Sequence, residues 1–268
     1  MTSSKTLDPG FTDQPTRNRL AQYATKHAIR RQRRVWSGRV ASWDQHGSAA
    51  LTRVTAAVLE AADVPAGAQV VDLGCGTGQI SLPLALRGAQ VLAVDVSSAM
   101  VRRLQAEARR RGVSGLEGLA LPIEELVLPP GSVDLVVSSY ALHHLRDPDK
   151  ARLISATYGW LRPGGRLVVA DMMFGRGTSH RDRVIIRSKV GALARKGPGG
   201  WWRIAKNAAR YLMRVRERLL PTQAWTAMLT RSGFAGVTGT EIVAEAALVV
   251  GKRPENPVPD QISQPRSR

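Results

Sequence analysis

Four short apolar runs punctuate the middle of the chain: QVVDL at 69–73, VLAVD at 91–95, VDLVVSS at 133–139 and RLVVAD at 166–171. Between them, apolar residues recur every three to four positions, the spacing of one helix face. The pattern predicts a helix over 48–63 on Leu51, Val54, Val58, Leu59 and Ala62, ending before Pro65. A strand at Gln69–Leu73 leads through three glycines into a helix that reaches about Arg87. A second strand, Val91–Asp95, precedes a helix that Ser97 caps and that stops at Gly112. A weaker strand lies near Gly115–Leu119, and Val133–Ser139 is continuously apolar, as a strand buried on both faces should be. A helix over Asp147–Trp160 and the turn LRPGG at 161–165 lead into a strand at Arg166–Asp171. Such alternation argues for a parallel sheet with helices on both faces.

After Asp171 the rhythm breaks. Residues 172–220 read as a basic helical insertion, split by KGPGG at 196–200. A helix at Thr222–Ser232 and strands at Gly236–Val243 and Ala246–Gly251 follow; Ala244 and Glu245 alone separate those strands, so they should form an antiparallel hairpin. The expected fold is α/β, a doubly wound sheet of seven strands, mostly parallel, with that hairpin at its end and a helical lid. The expected organisation is a basic N-terminal arm over 1–47, partly disordered, a main domain over 48–252 and a disordered tail over 253–268.

Charge changes this picture in two places. The chain has 268 residues and a net charge of +18. Residues 17–39 hold eight cations and no acid, and residues 176–218 hold thirteen cations against Asp182 and Glu217. Segregated charge of this kind points to anionic partners. An apolar fraction of 43% suits a globular core, and no apolar run is long enough to span a membrane. The start of the sequence lacks an apolar leader, so a cytoplasmic location is expected. The single cysteine, Cys75, excludes an internal disulfide and a multi-cysteine metal site, and no metal is expected.

The candidate chemistry starts at VVDLGCGTGQI, 70–80. Gly74, Gly76 and Gly78 sit where a strand meets a helix; missing β-carbons admit a ligand to the backbone, and the helix start offers N–H groups. Asp95 ends the next strand, where an acid can accept from ribose hydroxyls. The spacing is GxGxG with Asp72 before it, whereas a dinucleotide site would prefer GxGxxG.

The string DLGCGTG, followed by VDVS and then LRPGG, resembles the class I S-adenosylmethionine-dependent methyltransferases, and within them the type 11 group that includes quinone-ring C-methylases. The resemblance covers about residues 48–171 and implies a Rossmann-like fold and S-adenosyl-L-methionine as cofactor. It implies that Gly74, Cys75, Gly76 and Gly78 pass the methionine part, with Cys75 as loop filler. Asp72 would orient the loop or the cofactor's amino group, Asp95 would hold the ribose, and Val96 would pack on adenine. Ser138 joins this set at the end of the fourth strand. The family's Asp-Ala pair at the adenine edge falls here on Pro122 and Ile123; the Pro122 side chain cannot accept a hydrogen bond, Ile123 offers its N–H, and the alternatives are a weaker adenine contact or Glu124 taking it over.

The acceptor should sit beyond the carboxyl ends of the fourth and fifth strands. There SSYALHHL, 138–145, supplies Tyr140, His143 and His144 as candidates to take or place a proton, with His143 favoured. The strings that mark methylation of base amines, and the cysteine needed at pyrimidine carbon 5, are absent. The expected activity is therefore methyl transfer to oxygen or carbon of a small, lipophilic or anionic molecule. Methylation of RNA through the basic segments, and cofactor binding without catalysis, stay open as alternatives. In GWWRIAKNAARYLMRVRERLL the apolar stripe from Trp201 to Leu219 suits a lid helix, with peripheral membrane contact and nucleic-acid contact as other uses of 201–219. Trp36 and Trp43 in the arm either pack or close over the cofactor.

Overall fold

A computed structural model of the chain describes residues 29, 49–175, 180–194 and 218–255. Its elements in chain order are α1 (Ala49–Ala61), β1 (Gln69–Leu73), α2 (Ser81–Leu86), β2 (Gln90–Asp95), α3 (Ser98–Arg110), β3 (Leu116–Ala120), β4 (Val133–Ser139), α4 (Asp147–Trp160), β5 (Leu161–Met172), α5 (His180–Ala194), α6 (Thr222–Arg231), β6 (Ala235–Val243) and β7 (Ala246–Lys252). Two short 3₁₀ turns, Ile123–Glu125 and Leu142–His144, follow β3 and β4.

The strands form one sheet of seven in the order β3-β2-β1-β4-β5-β7-β6. β1 through β5 pair in parallel, and β7 is antiparallel to both β5 and β6. The order reverses between β1 and β4, so a crevice opens beyond their carboxyl ends. Period-two alternation assigns each strand residue to a face. Val70, Leu135, Val137, Val168 and Ala170 pack with Val54, Val58 and Leu84 of α1 and α2 on one side. Val71, Leu73, Val136, Leu167 and Val169 pack with Leu153, Ile154, Trp225 and Leu229 of α4 and α6 on the other. Two-sided burial explains why β4 and β5 lack polar alternation in sequence.

Helix boundaries follow from local chemistry. Ser97 caps α3, its hydroxyl accepting from the Met100 N–H at 3.4 Å. Gly112 ends that region at φ 67, a conformation that costs glycine little.

One sequence expectation changes. LRPGG is not a turn that precedes the fifth strand but a bulge within it. Leu161 already pairs with Val133, the chain loops out, and Arg166 rejoins opposite Leu135. The bulge is held from the far end of the chain. Gly164 donates to the Arg253 carbonyl at 2.8 Å, and the Arg253 N–H donates to Gly165 at 2.7 Å. The Arg253 guanidinium donates to the carbonyls of Tyr158, Gly159 and Leu161 and lies 5.1 Å from the Tyr158 ring centre. It thus adds donors to carbonyls at the end of α4, beside the Gly131 N–H that also donates to Gly159. Arg253, Pro254 and Glu255, which the sequence reading placed in the tail, are thus described residues beyond the end of β7, and Arg253 is bonded to the bulge.

The insertion begins with α5, whose Asp182 is buried and accepts from the Gly175 N–H at 2.7 Å. It returns at Arg218–Leu220, where Leu219 packs with Phe174. The linker at 196–200, the stripe from Trp201 to Val215, Trp36 and Trp43 of the arm, and residues 256–268 lie outside the described residues. Among those described, no helix is long and apolar enough to cross a membrane.

Replacing Arg253 by Met keeps the contact with Tyr158 and removes the donors to three carbonyls. The expected loss is about 1–3 kcal/mol of unfolding free energy, read from denaturant midpoints at unchanged m-value.

Candidate active site

The glycine loop takes its shape from β1 and β2 together. Gly74 and Cys75 both donate to the Val94 carbonyl, at 2.8 and 3.0 Å, which folds the loop back across the end of β2. Asp95 completes the clamp. One carboxylate oxygen accepts from the Gly76 N–H at 3.0 Å, and the other accepts from the Ser97 N–H at 2.8 Å. Each oxygen retains a lone pair for a ligand hydroxyl. Burial raises the Asp95 pKa, and these two backbone donors oppose the rise.

Asp72 sits beneath the loop, 2% exposed, and accepts from the Ser81 hydroxyl at 2.5 Å. Burial pushes its carboxyl up to about 7; the Ser81 donor lowers it and the Asp95 charge raises it again. Two acids thus share one cleft, and among the described residues no cation stands between them. That arrangement repels a second anion and suits a ligand that brings a positive charge and hydroxyls.

A cleft lies above the loop, its space about 850 Å³ when counted out to open solvent. Asp72, Gly74, Cys75, Gly76, Asp95, Val96, Ile123, Tyr140 and His144 line it, and all were named from the sequence. Glu124, named beside the adenine edge, lines it too, and the structure adds walls that the sequence reading did not place at a site: Leu51 from α1, Met100 from α3, and Ala141 with Leu145 from the loop after β4. Leu51 had a signal, since it belongs to the apolar stripe of α1, but periodicity cannot tell a core contact from a cleft contact.

Three named residues stand elsewhere. Gly78, at φ 94, is a packing glycine: a β-carbon on it would meet Leu104 at 2.1 Å, so its role is to seat α3 against the loop. Ser138 is buried and its hydroxyl donates to the Leu73 carbonyl at 2.8 Å, tying β4 to β1; the neighbouring Ser139 faces the cleft. His143 is also buried. Its Nδ1 lies 2.5 Å from an Asp171 oxygen, and its backbone N–H donates to the other oxygen at 2.9 Å. The preference for His143 over His144 is thus reversed in placement. His144 reaches the cleft wall, while His143 anchors the 3₁₀ turn to the end of β5. Burial alone would raise Asp171, but the His143 charge and the hydrogen bonds hold it below the ordinary carboxylate range. Asp171 read as a strand end in sequence, because nothing local marks a partner 28 residues away.

Tyr140 carries the backbone strain of the site. It is the one non-glycine residue with positive φ among those described, at 52°. This kink brings Ala141 so close to Gly74 that a β-carbon at 74 would lie 2.3 Å from the Ala141 β-carbon. Burial, with the Glu245 and Asp171 charges, pushes the Tyr140 hydroxyl up to about 12. At neutral pH it is a donor, not a base. Cys75 is buried and its thiol is pushed well up by burial and by the charges of Asp72 and Asp95, which rules out a nucleophile.

These residues fit S-adenosylmethionine. The glycine loop leaves room for the methionine chain, the two acids suit its ammonium and sulfonium charges, and Asp95 retains acceptors for ribose.

Residues 70–165 match the methyltransferase-domain family. The chain is 31% identical over 129 residues to an uncharacterized methyltransferase of Geobacillus kaustophilus, covering 47% of this chain and 54% of that protein. It is 33% identical over 135 residues to a ubiquinone biosynthesis O-methyltransferase of Xanthomonas axonopodis pv. citri, covering 48% and 55%. The chain therefore spans about half the length of the curated relatives it matches. A SAM-dependent methyltransferase from Aquifex aeolicus shares the fold, with a TM-score of 0.56 at 16% identity over 81% of this chain and 98% of that one.

Asp72 generates a pH dependence whose sign follows from its raised pKa. Between 3.8 and about 7 the folded state holds a proton that the unfolded state releases, so stability falls as pH rises through that window. The slope from this group approaches ~1.4 kcal/mol per pH unit at most. In Asp72→Asn that component should disappear, giving flatter denaturant midpoints between pH 5 and 8 than the parent shows.

Proposed function

Residues 70–165 are a methyltransferase domain of the Rossmann-like, S-adenosylmethionine-dependent kind, and from that premise we propose that the chain methylates oxygen or carbon of a small, lipophilic acceptor. The observation that supports this reading is the continuity of one cleft. Its cofactor end is Asp95 and the glycine loop; its other end is Tyr140, Ala141, His144 and Leu145.

When bound, the cofactor supplies an electrophilic methyl group on a sulfonium. An acceptor placed against that methyl group would have to give up a proton, and the cleft must offer a base for it. His144 takes that proton on an imidazole nitrogen. The Tyr140 hydroxyl donates to the acceptor and orients it. Leu51, Ala141 and Leu145 give the wall an apolar character and exclude water from the transfer. Asp171 and His143 hold the 3₁₀ turn on which His144 stands, so they position the base without touching the acceptor. The similarity to a ubiquinone biosynthesis O-methyltransferase supports oxygen as the acceptor atom.

The test uses cofactor with a radiolabelled methyl group, incubated with the full chain and a cell lysate. Label in the organic extract is expected; label in RNA would replace this reading with a nucleic-acid one. Once the acceptor is in hand, His144→Ala should lose about 10²-fold or more in turnover while its affinity for S-adenosylhomocysteine stays within about threefold. Unchanged turnover in that variant would remove His144 as the base.

A further inference from the structure

Lys150 closes the first turn of α4 and is fully buried. A buried cation is costly unless it is paired. Near a helix start it also meets the positive end of the helix dipole. Its contacts show where it is needed. The ammonium pairs with Asp147 at 3.2 Å, lies 5.9 Å from the Trp225 ring centre, and donates to the Arg218 carbonyl. The neighbouring Asp149 is committed to Arg146, at 2.6 and 3.1 Å, which leaves Asp147 as the carboxylate for the ammonium. Helical side chains lean toward the start of their helix, so Lys150 reaches back to the loop that α4 follows. Arg218 is 68 residues away in sequence, at the returning end of the basic insertion.

This contact continues into the candidate active site. The Arg218 N–H donates to the His143 carbonyl at 2.8 Å. That carbonyl shares one planar peptide with the His144 N–H, which donates to the Ala141 carbonyl at 3.2 Å. Fixing the carbonyl therefore fixes the direction in which the chain carries His144, a residue of the cleft wall. His143 is held at both of its backbone groups, its N–H by Asp171 at 2.9 Å and its carbonyl by Arg218. The Asp171 support comes from β5. The Arg218 support comes from the insertion and stands on Lys150. Leu219, next to Arg218, packs with Phe174 where the insertion leaves β5, so the segment that Lys150 seats joins the two ends of the insertion.

We propose that Lys150 is a positioning residue for the methyl transfer. Its ammonium seats the returning end of the insertion, and Arg218 passes that placement to the His143–His144 peptide through a main-chain hydrogen bond. The proposal rests on His144 as the base. It gives the insertion a part in placing that base: a shift at its returning end moves His144.

The experiment compares the full-length parent with Lys150→Met, an unbranched apolar side chain of similar length. Two quantities are read: amide hydrogen exchange, and transfer of a radiolabelled methyl group from the cofactor to the organic extract of a cell lysate. In Lys150→Met, exchange at His144 and Leu145 should speed by about 10-fold or more, while exchange at Val136 and Val137 of β4 and affinity for S-adenosylhomocysteine stay within about threefold. Transfer should fall by about 10–100-fold. Added to His144→Ala, the same substitution should cost less than about twofold, because a base already removed cannot be misplaced. Unchanged exchange at the turn would overturn the proposal. So would equal acceleration across turn and sheet, or losses that simply multiply in the double variant, since either marks a structural role alone. Absence of transfer by the parent would overturn the functional reading, a separate result, and exchange at His144 then decides the seating by itself. Should Lys150→Met fail to fold, Lys150→Gln, one bond shorter and uncharged, carries the same predictions.

Discussion

The structure depends on a crossing of two loops at the centre of the sheet. Gly74 leaves β1 and Ala141 leaves β4 so close together that the β-carbon glycine lacks would lie 2.3 Å from the Ala141 β-carbon. The approach is made from both sides. Gly74 adopts φ 78 without penalty, and Tyr140 adopts φ 52 at a cost of order 1–3 kcal/mol. Pairing holds Tyr140 there, since its N–H donates to the Ala170 carbonyl at 2.9 Å as β4 ends against β5. The crossing makes one cleft of two half-sites. Without it, the glycine loop and the Tyr140–Leu145 loop would be neighbouring features with no shared interior.

Much of this architecture was legible in sequence because it rests on local signals. Buried strands announced themselves as apolar runs, Ser97 and Gly112 bounded α3, and two residues between β6 and β7 left room only for a hairpin. LRPGG misled because proline and glycine mark a departure from regular pairing without saying whether the strand resumes. It resumes here because Arg253, about ninety residues on, bonds to the carbonyls beneath the bulge.

The site divided along similar lines. The glycines, Asp72 and Asp95 sit at strand ends, where residue order fixes position. The two adjacent histidines could not be ranked that way. In a 3₁₀ turn successive side chains point about 120° apart, and which one faces the cleft is decided by Asp171, a partner on another strand. Ser138 and Ser139 differ for the plainer reason that neighbours on a strand face opposite ways. Gly78 met the pattern of a ligand glycine and serves packing, because the loop needs both and uses the same residue type for each. Asp171 and the committed Arg146–Asp149 pair carried no local signal at all.

These placements converge on a single claim, that one cleft holds S-adenosylmethionine between Asp95 and the Tyr140–Leu145 loop. A crystal structure of the full chain with S-adenosylhomocysteine tests it most directly. The account predicts the ribose hydroxyls on Asp95, the sulfur beside the Gly74–Ala141 crossing, and the base between Val96 and Ile123. Ligand density away from Asp95, or a sulfur that faces solvent instead of the loop after β4, would contradict it.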